Sequence, residues 1–423
     1  MTVKSNSKPT KELILDVAFS FMEKPRYASF SMNELAEKVG ITKPAIYRHF
    51  ENKDAVLDAM EERVLNGIIP FLDGFENLVG EEGKKTLVAL IQHFIENPTH
   101  VNYIIAQLSS IPSYEEHLYQ VLAKKEVYFI GSGTKSTYLE NLNKDIKKFA
   151  RHTFSGMTIF FFVEVAERLK KMNYITKIPS NFADRIVDLL LNGLQGTTKK
   201  GDVLHPAGIS DSRKKELVEL CKINKEILPK ENKIFTALAQ TIKKYHITGV
   251  TVEKIAAELN MAKSSLYEYF DNKNEMIKTL IFRELSLLQT ILIENSTEAK
   301  NFEEYVYILM LSEFEYFTQR PSVIPICGWL LMSGVDMGQE NHETNECENK
   351  NSPWELRLPK KINSPDLGFE YSPELITGWI KCLPAAFLVE SSGKTLIQEK
   401  RMEGFMLTID YILDGMKVIG GTK

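Results

Sequence analysis

One stretch of this chain occurs twice, at a constant offset of 220 residues, and any fold must accommodate both copies. The first reads Gly40-Ile-Thr-Lys-Pro-Ala-Ile-Tyr-Arg-His-Phe-Glu-Asn-Lys53; the second reads Asn260-Met-Ala-Lys-Ser-Ser-Leu-Tyr-Glu-Tyr-Phe-Asp-Asn-Lys273. Tyr47 matches Tyr267, Phe50 matches Phe270, and Asn52-Lys53 matches Asn272-Lys273 without a gap. Each copy spells a turn, a short helix and the start of another helix. Gly40 supplies the left-handed conformation a tight interhelical turn needs, and Asn260 is the usual second choice. Thr42 suits an N-cap, and Pro44 is tolerated because it lies in the first turn. Asn52 and Asn272 cap the next helix, so Lys53 and Lys273 fall at its first position, where backbone N–H groups point outward. A short helix that begins with small or polar residues and continues Tyr-x-His/Tyr-Phe is shaped to enter a nucleic-acid groove.

The surroundings of both copies repeat as well. Leu13, Ile14, Val17, Ala18, Phe21 and Met22 give Lys11–Lys24 one apolar helical face. Ser31 and Glu34 form a capping box for the next helix. Leu35, Val39, Ile46 and Phe50 are the expected core of a first three-helix head. Spacing alone leaves Tyr47 open between core and surface, and His49 open between a plain surface histidine and a phosphate donor.

Residue by residue, Ile14–Met60 and Ile234–Leu280 resemble the helix-turn-helix head of the TetR family of bacterial transcription regulators. Ser31-Met-Asn-Glu-Leu-Ala-Glu-Lys-Val and Thr251-Val-Glu-Lys-Ile-Ala-Ala-Glu-Leu match its first motif helix. The resemblance implies a cytoplasmic, non-enzymatic, all-α regulator of two tandem TetR-like units. It also implies double-stranded operator DNA and a small-molecule effector as partners. Thr42, Lys43, Pro44 and Ala45 would face bases, with Ala262, Lys263, Ser264 and Ser265 as their counterparts. Tyr47, His49, Lys53, Tyr267, Tyr269 and Lys273 would hold phosphate, together with the helix N-termini at Ser31 and Thr251. Glu268 departs from this pattern, standing where the first copy has Arg48. An apolar or aromatic effector would sit among residues such as Phe94, Tyr103, Phe154 and Phe161, although the same rings could fill an ordinary core. A helical scaffold whose second head no longer binds DNA is the alternative.

The expected domains are a first head over 9–56, a first helical body over 57–196, a linker over 197–228, a second head over 229–276 and a second body over 277–423. Helices are predicted near 53–70, 83–96, 98–110, 113–130, 142–172 and 179–195, with Asn97-Pro98 as N-cap and first position and Ser113–Glu116 as a capping box. The second half repeats this near 230–245, 251–258, 262–268, 272–294 and 301–319. Gly334–Tyr371 is a long polar segment, a loop or a lid. Helices over 372–390 and 395–418 close the chain, the latter with a Thr395–Gln398 box. Phe149–Met172 is apolar around most of its circumference and so must be buried from more than one side. Such closing helices build the dimer bundle in TetR-like proteins. Here the two pairs are expected to pair within one chain, the alternative being a homodimer.

Other chemistries find no constellation. The net charge of −4 confines nucleic-acid contact to local patches. Cys221, Cys327, Cys347 and Cys382 form no Cys-x-x-Cys pair and suit a reducing compartment. No signal-like segment follows Met1, and apolar runs such as Ile159–Val163 are far too short to cross a bilayer. His342 and Cys347 lack two further ligands at zinc-like spacing, so no metal or cofactor is expected. Ser391-Ser-Gly-Lys-Thr395 ends like a phosphate-binding loop but has Leu388 where the first glycine belongs.

Overall fold

The computed structural model describes residues 9–23, 30–72, 80–110, 114–124, 144–171, 176–197, 208–224, 226, 228–245, 249–268, 270, 273–327, 359, 362, 372–391 and 400–417. No strand occurs among the described residues. The first half gives α1 (Thr10–Ser20), α2 (Met32–Val39), α3 (Lys43–Tyr47), α4 (Lys53–Leu72), α5 (Glu81–Glu96), α6 (Pro98–Ser110), α7 (Tyr114–Lys124), α8 (Ile146–Lys171) and α9 (Phe182–Thr197). After α10 (Asp211–Cys221) the plan returns as α11 (Lys233–Tyr245), α12 (Val252–Glu258), α13 (Lys263–Tyr267), α14 (Lys273–Ser296) and α15 (Phe302–Gln319). It closes with α16 (Ser372–Glu390) and α17 (Arg401–Asp414).

Local chemistry accounts for most boundaries. Ser31 accepts from the Glu34 amide at 3.1 Å while Glu34 accepts from the Ser31 amide at 2.7 Å, closing the capping box that starts α2. Gly40 ends α2 at φ 78°, and Asn260 takes φ 53° in the matching turn. Asn52 Oδ1 accepts from the Ala55 amide at 2.8 Å and so caps α4. Two expected caps hold in position but not in side-chain bonding. Thr42 occupies the N-cap of α3 but makes no side-chain capping bond. Asn97 turns back instead of forward: its Nδ2 donates to the His93 carbonyl at 2.9 Å and satisfies the end of α5, while Pro98 still opens α6. The boxes at Ser113 and Thr395, the segment 334–358, the pair His342 and Cys347, and the loop after Ser391 lie outside the described residues.

Contacts divide the described chain into two compact units, α1–α7 and α8–α17. In the first, Ile14, Leu15, Ala18, Leu35, Ile46, Phe50, Val56 and Met60 are buried together with Tyr103. Burial of this kind stabilises at roughly 25 cal/mol per Å² of apolar surface. Val39 stands at the margin of that core, half-buried.

The second unit is organised by its closing helices. α8 packs on α16 and α17, and α9 packs on α17. Phe149 and Phe154 place their rings 5.6 Å and 6.0 Å from Phe387, and Phe154 lies 5.3 Å from Tyr411. Ile186, Leu189, Leu190 and Leu194 of α9 are buried, as are Phe405, Ile409 and Ile412 of α17. Thus α8 is covered from more than one side, which its circumferential apolarity required. Arg213 of α10, on a charged helix with no expected role, is a structural clamp. It donates to Glu304 at 3.0 Å and 3.2 Å, to Glu216 at 2.9 Å and to the Glu298 carbonyl at 3.2 Å.

Candidate nucleic-acid interface

The turn before α3 orients the helix by burying only one of its residues deeply. Ile46 goes to the core and Phe50 follows it, so Thr42, Lys43, Pro44, Tyr47, Arg48 and His49 are left exposed, with Ala45 half-buried. The copy repeats this pattern position for position. Leu266 is buried, Ala262, Lys263, Ser264, Tyr267 and Glu268 are exposed, and Ser265 is half-buried. Tyr47 keeps 43% of its surface and Tyr267 keeps 44%. A tyrosine with so much free area is a poor core residue and a good hydroxyl donor at a surface. The helix-opening backbones agree too, with φ −77° and ψ 149° at Thr42 against −70° and 145° at Ala262.

Around α3 the first head gathers cationic groups. Lys43 Nζ lies 6.0 Å from the Tyr47 ring centre, and Lys53, half-exposed, lies 5.3 Å over Phe30. The Glu34 carboxyl is held low first by the Ser31 amide and hydroxyl, and Lys53 lowers it further. Lys53 and the N-terminus of α2 at Ser31 therefore share one neighbourhood. Helix N-termini with nearby lysines hold phosphate oxygens.

The second head has the same shape with a different charge pattern. Lys263 Nζ, 5.7 Å from the Tyr267 ring, is ion-paired with Glu253 on α12. That bond, with the help of the Thr251 hydroxyl, pulls the Glu253 carboxyl down to about 2. Asn33 occupies the matching position of the first head, so Lys43 has no such partner. Residues 31–53 carry four basic and three acidic side chains, whereas 251–273 carry three and four. Thr251 is half-buried and caps α12 through the Lys254 amide at 3.3 Å. Tyr269 and the Lys273 side chain lie outside the described residues. Glu253 and Arg48 were not among the sequence-derived candidates. Arg48 was legible as the counterpart of Glu268, while Glu253 is ten residues from Lys263, across a turn.

The effector residues are placed differently from a common pocket lining. Tyr103 is core, 6.2 Å from the Phe19 ring, and its hydroxyl donates to the Leu57 carbonyl at 3.1 Å. Phe94 is half-buried beside His93, at 6.0 Å between ring centres. Phe154 belongs to the aromatic packing on Phe387 and Tyr411, and Phe161 packs on Phe162 at 5.3 Å and against Gly378. Among the described residues no group of three or more His, Cys, Asp or Glu could hold a metal ion, and no helix is long and apolar enough to cross a membrane.

Comparison with known proteins bears on the two heads. The family model of bacterial regulatory proteins, tetR family, matches residues 14–60 and again 234–280. The chain is similar to the tetracycline repressor protein class C of Escherichia coli, at 34% identity over 59 residues, which is 14% of this chain and 27% of that protein. It is also similar to the uncharacterized HTH-type transcriptional regulator YvkB of Bacillus subtilis (strain 168), at 34% identity over 53 residues, 12% of this chain and 28% of that protein. The matched stretch thus spans little more than a quarter of either relative.

Proposed function

With a matching head at 14–60 and another at 234–280, the chain belongs to the tetR family of bacterial regulatory proteins as two units in tandem, and we propose on that premise that it is a DNA-binding transcriptional regulator. The observation that carries this is the repeated exposure pattern. Both short helices present the same helix-opening positions and the same half-exposed tyrosine, over a core that buries only their apolar face. Such a helix meets base edges with its first turn while tyrosine and lysine fix the phosphates. Thr42, Lys43, Pro44 and Ala45 would read one half-site, and Ala262, Lys263, Ser264 and Ser265 the other. Ser31, Tyr47, His49 and Lys53, with Thr251, Tyr267, Tyr269 and Lys273, would grip the backbone.

One relative is by its name a tetracycline repressor, which supports repression released by a small ligand as the mode of action. The setting would be the cytoplasm. A single-headed regulator must pair two chains to place two heads on one operator. This chain holds both heads, and its closing helices pack inside one molecule, so we propose that it acts as its own dimer.

Selection from a random duplex library with the full chain tests the reading. The expected result is a bound site with two half-sites of unlike sequence, because the first-turn residues Thr-Lys-Pro-Ala and Ala-Lys-Ser-Ser differ at three of four positions. A perfect palindrome would overturn the asymmetry, and no enrichment would overturn DNA binding itself. A second reading is favoured by the Lys263–Glu253 pair and by Glu268: the second head serves as scaffold and only the first reads bases. Enrichment of a single half-site would decide for it.

A further inference from the structure

α15 is buried along most of its length, and two of its buried residues are glutamates. Glu304 has its partner in Arg213, at 3.0 Å. Glu313 is only 2% exposed, and its Oε2 has no hydrogen-bond partner. One turn away on either side, Leu309, Met310 and Phe317 are buried and apolar. A polar group costs free energy to bury unless a partner meets it, so an unmet carboxyl calls for a reason outside packing.

The helices packed on α15 bring further polar groups to the same neighbourhood. Lys381 of α16 is half-buried, but its amine turns inward and donates at 3.1 Å to Oε1 of Gln289 on α14, itself 3% exposed. Burial pushes the Glu313 carboxyl up to about 8 against the pull of that amine, and burial pushes the amine down against the pull of Glu313. Near neutral pH Glu313 is therefore an uncharged acid, able to donate through its O–H and to accept at its other oxygen. On α14, Leu285 and Leu292 flank Gln289 with buried apolar surface.

The fold does not require this set. At the 220-residue offset of the repeat, Gln289 stands where the first half has Ile69. Arg320 and Asn97 cap α15 and α5 with the same backbone, φ −127° and ψ 63° against −128° and 61°, and a proline follows each. Counted back from those caps, Glu313 stands where the first half has Leu90, which is buried. The polar group thus belongs to the second body alone.

We propose that the second body binds a small neutral ligand, an apolar molecule with one hydroxyl, and that this hydroxyl pairs with Glu313 between α14, α15 and α16. A hydroxyl both donates and accepts, as the undissociated carboxyl does. A cationic head would be repelled by Lys381 and an anionic one by Glu313 once ionised, whereas a neutral head suits both. The consequence at the operator rests on the ligand-released reading above, but the binding does not. Isothermal titration of the full chain without DNA tests it with phenol as probe. Benzene supplies the same shape without the hydroxyl, and benzylammonium and benzoate are the charged controls. Phenol should bind at one per chain and benzene about tenfold more weakly, the effect of losing one hydrogen bond to a buried partner. The charged controls should bind no better than benzene. Glu313→Leu, which copies the first half, should raise the melting temperature of the free protein and bring phenol down to the level of benzene. Glu313→Gln, which keeps a donor and an acceptor, should retain most of the preference. Absence of phenol binding, equal binding of benzene, tighter binding of a charged control, or undiminished phenol binding in a folded Glu313→Leu protein would each overturn the proposal. Because the titration contains no DNA, none of these results touches the library experiment.

Discussion

Gly193 and Gly415 meet backbone to backbone, both at positive φ, 60° and 70°. A Cβ on Gly193 would fall 2.4 Å from the Leu413 carbonyl carbon and 2.5 Å from the Asp414 nitrogen. A Cβ on Gly415 would fall 2.5 Å from the Gly193 nitrogen and 2.6 Å from that of Asn192. The contacts are reciprocal at an offset of 222 residues: 193 touches 413 as 415 touches 191. Reciprocity of this kind is the mark of a two-fold interface, here between α9 and α17 of one chain.

Neither clash can be relieved by a rotamer, since the atoms met are backbone. Gly193→Ala and Gly415→Ala should each cost about 2–3 kcal/mol, from positive φ and overpacking combined. Chemical denaturation midpoints would show it. The two losses should be alike, and a loss below about 0.5 kcal/mol at either site would contradict the packing.

Thr158 pins the neighbouring pair of helices. Its hydroxyl donates to the Phe154 carbonyl at 2.7 Å, so it must accept from both Trp379 Nε1 at 2.9 Å and the Tyr411 hydroxyl at 3.1 Å. All three side chains are fully buried. Thr158→Val keeps the shape but strands two donors, at a cost of roughly 2–4 kcal/mol. Thr158→Ser should recover most of it. Equal stability of the valine variant would show that the network contributes nothing.

These pins explain why some of the molecule was legible in the sequence and some was not. The repeat of Tyr47 and Tyr267, the Ser31–Glu34 box and the turn at Gly40 depend on neighbours within a few positions. They could be read directly, and most helix ends followed within a few residues. Asn97-Pro98 opens α6 where it was read, but Asn97 also ends α5, and the turn of its side chain back to the His93 carbonyl was not legible because Asx-Pro serves either end. Glu253 with Lys263, and Arg63 with Glu12 and Asp16, join residues ten to fifty-one apart, where no local periodicity applies. The aromatic residues Phe154 and Phe161 looked the same as core or as pocket lining until their partners Phe387 and Gly378 were placed.

The heads should respond unequally to loss of a lysine. Lys53→Ala should lower the salt slope of DNA binding by about one unit on every sequence. Lys43→Ala should cost roughly 1–3 kcal/mol at particular base pairs. Lys263→Ala should cost less, because Glu253 already holds that cation, and Glu253→Gln should therefore strengthen binding over the second half-site alone. Filter binding across a salt series separates these outcomes. Weaker binding by Glu253→Gln would mean that the carboxylate itself reads a base.

Acid should loosen the first unit through His100. Its ordinary value near 6.5 falls to about 4 in the fold, so between those limits the unfolded chain binds the extra proton. Stability is then complete above about 6.5 and declines as pH falls toward 4, by an amount on the order of a few kcal/mol. Denaturation at pH 7 and pH 5 should show a drop that shrinks in His100→Asn. An unchanged drop would move the cause to another group.

The chain should be monomeric. Ile186, Leu189, Leu190 and Leu194 already face Phe405, Ile409 and Ile412 within one molecule, so the apolar area that would otherwise drive pairing between chains is covered. Tethering also favours closure within the chain, since the linked partner is present at an effective concentration that free chains rarely match. A homodimer with four heads would need to break the Gly193–Gly415 contact and the Thr158 network and rebuild both between like helices. Like helices cannot do so: α8 has no tryptophan to offer Thr158, and α16 has no threonine at the place that receives Trp379. Multi-angle light scattering at micromolar concentration should therefore give the mass of one chain, 48.3 kDa. A stable double mass, unchanged on dilution, would show that the closing helices pair between chains and that the tandem heads are held some other way.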